Sequence, residues 1–437
     1  MADGAIWVTG LGLVSSLGFG VAENWRRLLA GESAIAPLSA DHFALPIALP
    51  TRLAALVPRA ALEQRIQAAV PRQVWNTSAE VCHAWLLAAL EALEMAGMAP
   101  VPDVPPTAAL PERIGVYVGN GAGAGGFIEQ EYVNVYTAAK AVRRDVSRMA
   151  VAKYMPSALA AQLSILAGFR GPSLVLNTAC SSGAAALLTA RDALRLGRID
   201  VAVAGGADLP VTAAVLKGFA NIGALTTRDD LGARACRPFE ADRGGFVLGE
   251  AAACLVLERG ATAQARGAKP LACLRGGALG SEAHHLLAPR ADGAGMAECI
   301  ALALADAALA PERVAHVYAH GTGTAYNDRC EALALGRVLP HGPTVSAAKA
   351  LLGHTLGAAG AVDAVLAVQS LATGRVVPLR HLERPDPECP IRPALRAEDA
   401  RLGPEDAIAV NSFAFGGHNA VLLLTRPRPP TLPQGAP

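Results

Sequence analysis

Short apolar runs alternate along this chain with longer segments whose apolar residues recur every three or four positions. The short runs predict buried strands and the periodic segments predict helices. Because strands separated by helices usually pair in parallel, with helices over both faces, the pattern predicts an α/β fold. The predicted strands are residues 5–11, 114–118, 174–176, 201–204, 249–257, 271–276, 314–318, 406–410 and 420–424, and the predicted helices are residues 21–29, 79–98, 155–166, 184–188 and 295–308.

The same alternation recurs in the second half of the chain, although the letters themselves do not repeat. This hints at a duplicated unit. Residues 41–71 are rich in Pro and Ala and lack a clear period, so we expect a connecting region there. The Pro-rich C-terminal residues, from 427 onward, are expected to form a disordered tail.

The composition argues against several classes of protein. Hydrophobic residues make up 52% and charged residues 17%, so much of the chain must be buried in a core or an oligomer interface. The 38 basic and 37 acidic residues leave no charge excess for nucleic acid or an anionic membrane. No uncharged apolar run reaches the roughly 18 residues of a membrane span, and the glycine-interrupted N-terminus does not match a signal peptide. The 8 cysteines lack metal-ligand spacing, so we expect reduced thiols, no metal and a cytoplasmic location.

Cys180 is the strongest candidate for chemistry. It lies between the apolar run 174–176 and the Ala/Leu-rich run 184–188, at a predicted turn from strand to helix. The positive end of a helix dipole favours a thiolate and any oxyanion formed beside it. The alternative is a buried, inert cysteine, which is the usual state of a free Cys.

Two histidines in glycine-rich turns, His320 and His354, favour the catalytic interpretation. They stand in Tyr318–Thr324 and Ser346–Gly360, each just after an apolar or small-residue run. A nucleophilic cysteine with two downstream histidines is typical of acyl-thioester chemistry.

With these segments, the chain resembles the β-ketoacyl-acyl carrier protein synthases, in particular the elongating, decarboxylative type. The resemblance runs from Val8–Gly12 to Asn411–Asn419. It implies a thiolase-type fold with duplicated α/β halves in five layers (α-β-α-β-α), residues 1–260 carrying the nucleophile and residues 261–426 both histidines. It also implies an acyl carrier protein as partner, and no cofactor besides the phosphopantetheine arm which that partner supplies.

The resemblance implies a role for each site residue. Cys180 would carry the acyl group, and His320 and His354 would stabilise the enolate formed when malonyl loses carbon dioxide. Lys349 matches a family lysine near the histidines, and Asp363 matches its acidic partner. Thr322 and Thr324 match positions lining the site, although turn hydroxyls bound to local backbone are an equal alternative.

Phe415 corresponds to a gating phenylalanine whose backbone N–H joins that of Cys180 in an oxyanion hole. Gly416 and Gly417 supply the backbone freedom for such a gate, although a plain apolar plug is the alternative. The family usually has Gly and Thr where this chain has Ala414 and His418, which leaves the loop's kinetics open.

Ala122 and Arg228 match positions for the acyl-pocket wall and for carrier-protein docking. Ala122 stands where elongating synthases often carry a bulkier aliphatic residue, so we expect the pocket to accept medium or rigid unsaturated acyl chains. The alternative is that Ala122 only permits close backbone packing in the turn. Arg143, Arg144 and Arg148 are further docking candidates from clustering alone, and a solvated charged face is the simpler interpretation. We interpret the segment 237–246 as scaffold of ion pairs and a turn.

Three alternatives were weighed against an active elongating synthase. A chain-length factor, the non-catalytic partner subunit of a ketosynthase heterodimer, lacks the cysteine that this chain keeps. A degradative thiolase uses a second cysteine and an initiating synthase replaces one histidine by asparagine, and a scaffold would have no decarboxylation activity. Fatty-acid and specialised polyketide or polyene pathways both stay open, as do a homodimer and a heterodimer.

Overall fold

The computed structural model describes residues 5–39, 42–43, 48–99, 110–137 and 146–427, so the predicted tail lies, from residue 428, outside the described residues. The strands are β1 Ile6–Ser15, β2 Gly18–Phe19, β3 Ala36–Pro37, β4 Leu53–Ala55, β5 Ile114–Gly119, β6 Ser173–Leu176, β7 Val201–Asp208, β8 Leu248–Gly249, β9 Ala251–Arg259, β10 Ala272–Ser281, β11 Val314–Tyr318, β12 Thr344–Ser346, β13 Arg392–Pro393, β14 Ala407–Ala414 and β15 His418–Thr425. The α-helices are α1 Val21–Ala30, α2 Arg59–Ala69, α3 Arg72–Asn76, α4 Glu80–Met95, α5 Gly125–Tyr132, α6 Ala150–Tyr154, α7 Ala158–Ala167, α8 Ser182–Arg195, α9 Ala213–Asn221, α10 Gly260–Ala265, α11 Ala294–Ala307, α12 Ala325–Val338, α13 Lys349–Leu352 and α14 Ala359–Thr373.

Two groups of strands form one hydrogen-bonded array. The first has the order β1-β9-β7-β5-β6 and the second the order β10-β15-β14-β11-β12-β13. They meet where β1 pairs antiparallel with β10, at Trp7 opposite Cys273 and Val8 opposite Ala272. Strands β5, β6 and β7 run parallel, as do β11, β12 and β14, whereas β9 and β15 run antiparallel to their neighbours. The sheets were predicted to be mostly parallel, but the strands β1, β9, β10 and β15 pair antiparallel with their neighbours.

Helices and sheets alternate in five layers. Helices α8 and α14 pack against each other and against both strand groups, so they form the middle layer. Helices α4 and α7 cover the outer face of the first group, and α11, with α12 against it, covers that of the second. The segment Leu356–Thr373, which includes α14, is long and apolar enough to cross a membrane by composition, but 83% of it is buried inside the protein. Its place in the middle layer accounts for that composition.

The segment 41–71, expected to be a connecting or capping region, contains regular secondary structure that the sequence did not predict. Strand β4 and helix α2 lie in the described part of this segment. Helix α2 buries only Leu62 and Ile66, one turn apart, and packs against α4. Because its remaining positions are polar or Ala, two buried residues left too weak a period for the sequence to show.

Several strands end close to the candidate site residues. Strand β6 precedes Cys180, β11 precedes His320, and β14 leads directly into Phe415. Because these strands run parallel within their own group, their carboxyl ends bring the following loops to the same edge.

Candidate active site

Cys180 lies in a tight turn between β6 and the N-terminus of α8. Ala179 before it adopts a left-handed φ of 51°, a conformation that costs a non-glycine residue energy. The Ser182 hydroxyl accepts a bond from the Thr178 N–H at 2.9 Å and donates to the Ala179 carbonyl at 2.6 Å. These bonds close the turn and hold Ala179 in its unfavourable conformation.

The fold brings the cysteine and both histidines together. Cys180 Sγ lies 3.2 Å from His354 Nε2. The imidazole rings of His320 and His354 are 5.3 Å apart at 80°. The sulfur and one nitrogen of each ring lie within 4.8 Å of one another. Such sulfur and imidazole donors are of the type that zinc accepts, so these three side chains are the described group best suited to a metal.

Burial keeps all three groups uncharged. Burial away from solvent raises the pKa of Cys180 to about 12. The positive charge of Lys349 lowers this pKa and the nearby Asp208 raises it, but both effects are smaller than that of burial. Burial, then the charge of Lys349, lowers the pKa of His320 and of His354 well below the usual value. A helix N-terminus was expected to favour a thiolate here, but desolvation outweighs that effect and keeps the thiol protonated.

A buried glutamate holds the His320 turn. Glu331, on α12, accepts the N–H groups of His320 and Gly321, each at 2.8 Å. Asn411 donates its side-chain amide to the same carboxylate at 3.0 Å. Burial raises the pKa of Glu331 to about 7. Sequence reasoning missed this residue, whose only signal was an acidic residue 11 positions after His320 among the Ala and Leu residues of the following segment.

Thr322 and Thr324 make local turn hydrogen bonds and also line the site. Their hydroxyls bond each other at 2.9 Å, as local turn hydroxyls do, and both residues line the cavity above Cys180. Asp328 accepts the Thr322 N–H at 3.0 Å and the Gly323 N–H at 3.1 Å, so it supports this loop as Glu331 supports the preceding turn.

The interpretation of residues 237–246 as scaffold only was incomplete. Ion pairs are present, since Arg243 pairs with Asp386 at 2.6 Å. However, Phe246 lines the cavity and packs edge-on against the His354 ring, with centroids 5.1 Å apart. The neighbouring Val247 carbonyl accepts the His354 N–H at 2.7 Å. This segment therefore sets the position and the orientation of the second histidine.

Lys349 and Asp363 form the expected pair. Nζ lies 3.4 Å from Oδ2, and the two side chains are only 4% and 3% exposed. The pair lies between α13 and α14, which places the lysine charge near both imidazoles.

A cavity of about 420 Å³ opens above Cys180, His320 and His354. Phe415 lines it, with its ring 6.3 Å from that of Phe219. Gly416 has a φ of 81° and Gly417 a φ of 68°, in the left-handed region that glycine favours. The His418 ring packs so close to Gly416 that an added Cβ would lie 2.8 Å from it. His418 therefore packs against the loop next to Phe415.

The structure bears unequally on the remaining candidates. Ala122 packs against the apolar cluster that contains Cys180, although it is not on the described lining of the cavity. Arg228 is partly exposed and paired with Asp230 at 2.9 Å and with Asp242 at 3.6 Å, so its charge is largely compensated. Arg148 is exposed, and Arg143 and Arg144 lie outside the described residues.

Comparisons with known proteins identify the family. Residues 3–263 match the N-terminal domain of beta-ketoacyl synthases and residues 271–383 match the C-terminal domain. The 3-oxoacyl-[acyl-carrier-protein] synthase 2 of Vibrio cholerae is 34% identical over 430 residues, which cover 98% of this chain and 100% of the relative.

Solved structures agree with the sequence comparison. A type II polyketide synthase ketosynthase in complex with its acyl carrier protein matches with a TM-score of 0.85 and 26% identity, over 97% of this chain and 100% of the other. The ishigamide ketosynthase/chain length factor matches with a TM-score of 0.85 and 29% identity, over 98% and 100%. The predicted thiolase-type α/β fold and the resemblance on which it rested are thereby confirmed. The chain belongs to the β-ketoacyl synthase family.

Proposed function

We propose that this protein catalyses the decarboxylative Claisen condensation of an acyl group, held on Cys180, with a malonyl group on an acyl carrier protein. The product is a 3-oxoacyl-acyl carrier protein in fatty-acid or polyketide synthesis. The observation that carries this function is the cluster of Cys180 Sγ with the two neutral imidazoles, within 4.8 Å at the base of a cavity. The family and the printed activity of the Vibrio cholerae relative agree with it.

In the first half-reaction, Sγ attacks the carbonyl carbon of the acyl thioester. The carrier's phosphopantetheine sulfur leaves and takes the proton that Sγ loses, so charge and atoms balance. With its proton on Nε2, His354 donates to the sulfur 3.2 Å away as negative charge develops there. The backbone N–H groups of Cys180 and Phe415 would stabilise the carbonyl oxyanion.

In the second half-reaction, the malonyl carboxylate leaves as carbon dioxide and its electron pair forms an enolate. The N–H groups of His320 and His354 donate to the enolate oxygen, a role that suits neutral imidazoles. The enolate carbon then attacks the acyl-Cys carbonyl, the C–S bond breaks, and Sγ takes up a proton from solvent. Burial of the site favours this step because it excludes water that would hydrolyse the acyl-enzyme.

The test is the conversion of acyl- and malonyl-carrier protein to 3-oxoacyl-carrier protein, followed by mass spectrometry of both proteins. Cys180→Ala should abolish acylation and condensation while leaving the fold intact, because the side chain contributes one small group to the apolar cluster. Cys236→Ala, another fully buried free cysteine, is the matched control and should keep activity. Acylation that persists without Cys180, or lies on another cysteine, would refute the assignment.

An acyl carrier protein is the proposed partner, and its phosphopantetheine arm is the only prosthetic group that the reaction needs. The ketosynthase neighbour solved with its carrier protein supports this partner. The 8 free cysteines are consistent with a reducing cytoplasm as the proposed location.

We also infer a homodimer. Strand β6 is at the sheet edge and its Leu174 is 47% exposed, which leaves backbone donors and acceptors free to pair with a second copy. Ile165, on the adjacent α7, is 72% exposed and extends this apolar surface. An isolated apolar surface of this kind is typical of a protein–protein interface.

Light scattering during gel filtration tests the assembly. Ile165→Lys should give a monomer, whereas Leu302→Lys, at a 56% exposed position on α11, should stay dimeric. A chain that is monomeric alone and inactive would instead favour a heterodimer with a chain-length factor, the assembly of the ishigamide neighbour.

A further inference from the structure

Asp208, at the end of β7, is a fully buried carboxylate bound only by neutral donors among the described residues. Oδ2 accepts the N–H groups of Gly121 at 2.8 Å and of Gly357 at 2.7 Å. Oδ1 accepts the Ala122 N–H at 3.0 Å and the side-chain amide of Asn120 at 3.1 Å. Four donors thus converge on one carboxylate.

These donors come from both halves of the chain. Gly121 and Ala122 belong to the turn after β5, and Gly357 follows His354 in the second half. The two segments touch closely, since an added Cβ on Gly357 would lie 2.5 Å from the Gly121 nitrogen. Leu356, next to Gly357, has a left-handed φ of 42°, so this loop needs outside support to keep its shape.

The same turn contacts the nucleophile's loop. Asn177, on the way from β6 to Cys180, donates its side-chain amide to the Gly121 carbonyl at 3.2 Å. An added Cβ on Gly121 would lie 2.9 Å from Asp208 Oδ2 and 3.6 Å from the Ala179 carbonyl oxygen. The turn 120–123 therefore packs between the loop of Cys180 and the carboxylate of Asp208, with contacts to both.

We propose that Asp208 is a positioning residue that holds the turn of Ala122 and the segment after His354 in one arrangement around Cys180. The inference rests on the proposed function, in which Cys180 carries the acyl group and His354 donates to the enolate oxygen. The acyl carbonyl and the enolate must meet in one geometry, and a misplacement of about 1 Å can cost about a hundredfold in rate. Loss of the carboxylate should therefore impair both half-reactions, because one supported segment contacts the loop of Cys180 and the other follows His354.

Asp208→Asn tests the coupling because the amide keeps the shape but turns one acceptor into a donor. Whichever way it lies, two of the four donors face an N–H₂ group and lose their partner. We expect acylation of Cys180, followed by intact mass, and carbon dioxide release from malonyl-carrier protein each to slow about ten- to hundredfold.

Glu331→Gln is the matched control, since Glu331 is equally buried but holds only the His320 turn and Asn411. It should slow carbon dioxide release and leave acylation of Cys180 near the wild-type rate. Circular dichroism and thermal unfolding establish that each variant is folded. Where the Asn variant does not fold, Asp208→Glu, which keeps the charge but displaces the donors, should show the same two defects.

A folded Asp208 variant with both half-reactions unchanged, or with only one of them slowed, would overturn the coupling. A wild-type protein that is never acylated on Cys180 would overturn the proposed function instead. The two failures are therefore distinguishable.

Discussion

Removal of the Asp363 carboxylate alone should lower the free energy of unfolding far more than removal of both members of the Lys349–Asp363 pair. Nζ and Oδ2 are 3.4 Å apart and both side chains are almost fully buried. Asp363→Ala leaves a buried ammonium without its counter-charge, and breaking such a pair typically costs about 3–5 kcal/mol. The double variant, Lys349→Met with Asp363→Ala, leaves no unpaired charge at this position. It should therefore be only about 1–2 kcal/mol less stable than the wild type.

The double variant also isolates the electrostatic effect of the lysine. After burial, the Lys349 cation is the next cause that lowers the pKa of His320 and of His354. Without it, both pKa values rise toward the usual value. A larger fraction of each imidazole is then protonated at acidic pH, so condensation should lose activity at a higher pH than in the wild type.

Urea unfolding monitored by tryptophan fluorescence, with wild type, both single variants and the double variant, gives the coupling energy of the pair. Condensation rates between pH 5 and 8 give the electrostatic effect. An Asp363→Ala variant that loses less than about 1 kcal/mol, or a double variant no more stable than it, would refute the account of a buried ion pair.

Three further predictions concern the pocket, the docking surface and stability against pH. Ala122→Phe should shorten the longest acyl chain that Cys180 accepts, as measured by intact mass, while acetyl transfer stays near normal. An unchanged chain-length profile would show that Ala122 does not line the acyl pocket. Arg228→Glu should raise the KM for acyl-carrier protein only about two- to fivefold and spare a small thioester, because Asp230 and Asp242 already compensate the arginine. For Glu331, burial raises the pKa from 4.5 to about 7, so its contribution to stability is present below pH 4.5 and is lost as the pH rises through 7. Glu331→Gln should therefore flatten the pH dependence of the urea midpoint between pH 4.5 and 7, and an equal slope in both proteins would contradict the raised pKa.

The strands and helices that the sequence predicted well are those buried along one full face. Strand β11 matched its prediction, and α11 did so within one residue, because every turn or alternate position of these elements meets the core. Helix α2, which buries only two side chains, was missed. The helix predicted over 155–166 begins later, because α7 starts at Ala158, and the short preceding helix α6 was not predicted. Met155 stands before a proline, which disfavours a helical conformation there and separates the two helices.

Local signals in the sequence by themselves determined the α/β alternation and the three candidate side chains, whereas the family and the five-layer fold followed from the resemblance of the motifs to known synthases. A cysteine between a strand and a helix, and histidines beside glycines, are readable from neighbours in the chain. Only the tertiary structure decided what surrounds them: His354 is 174 residues from Cys180, and Gly357 is 149 residues from Asp208. Burial by distant segments keeps the thiol and the imidazoles neutral, and it makes Asp208, Glu331 and Phe246 parts of the site. Desolvation and hydrogen bonding depend on which atoms are near in space, and spacing along the chain does not encode that distance.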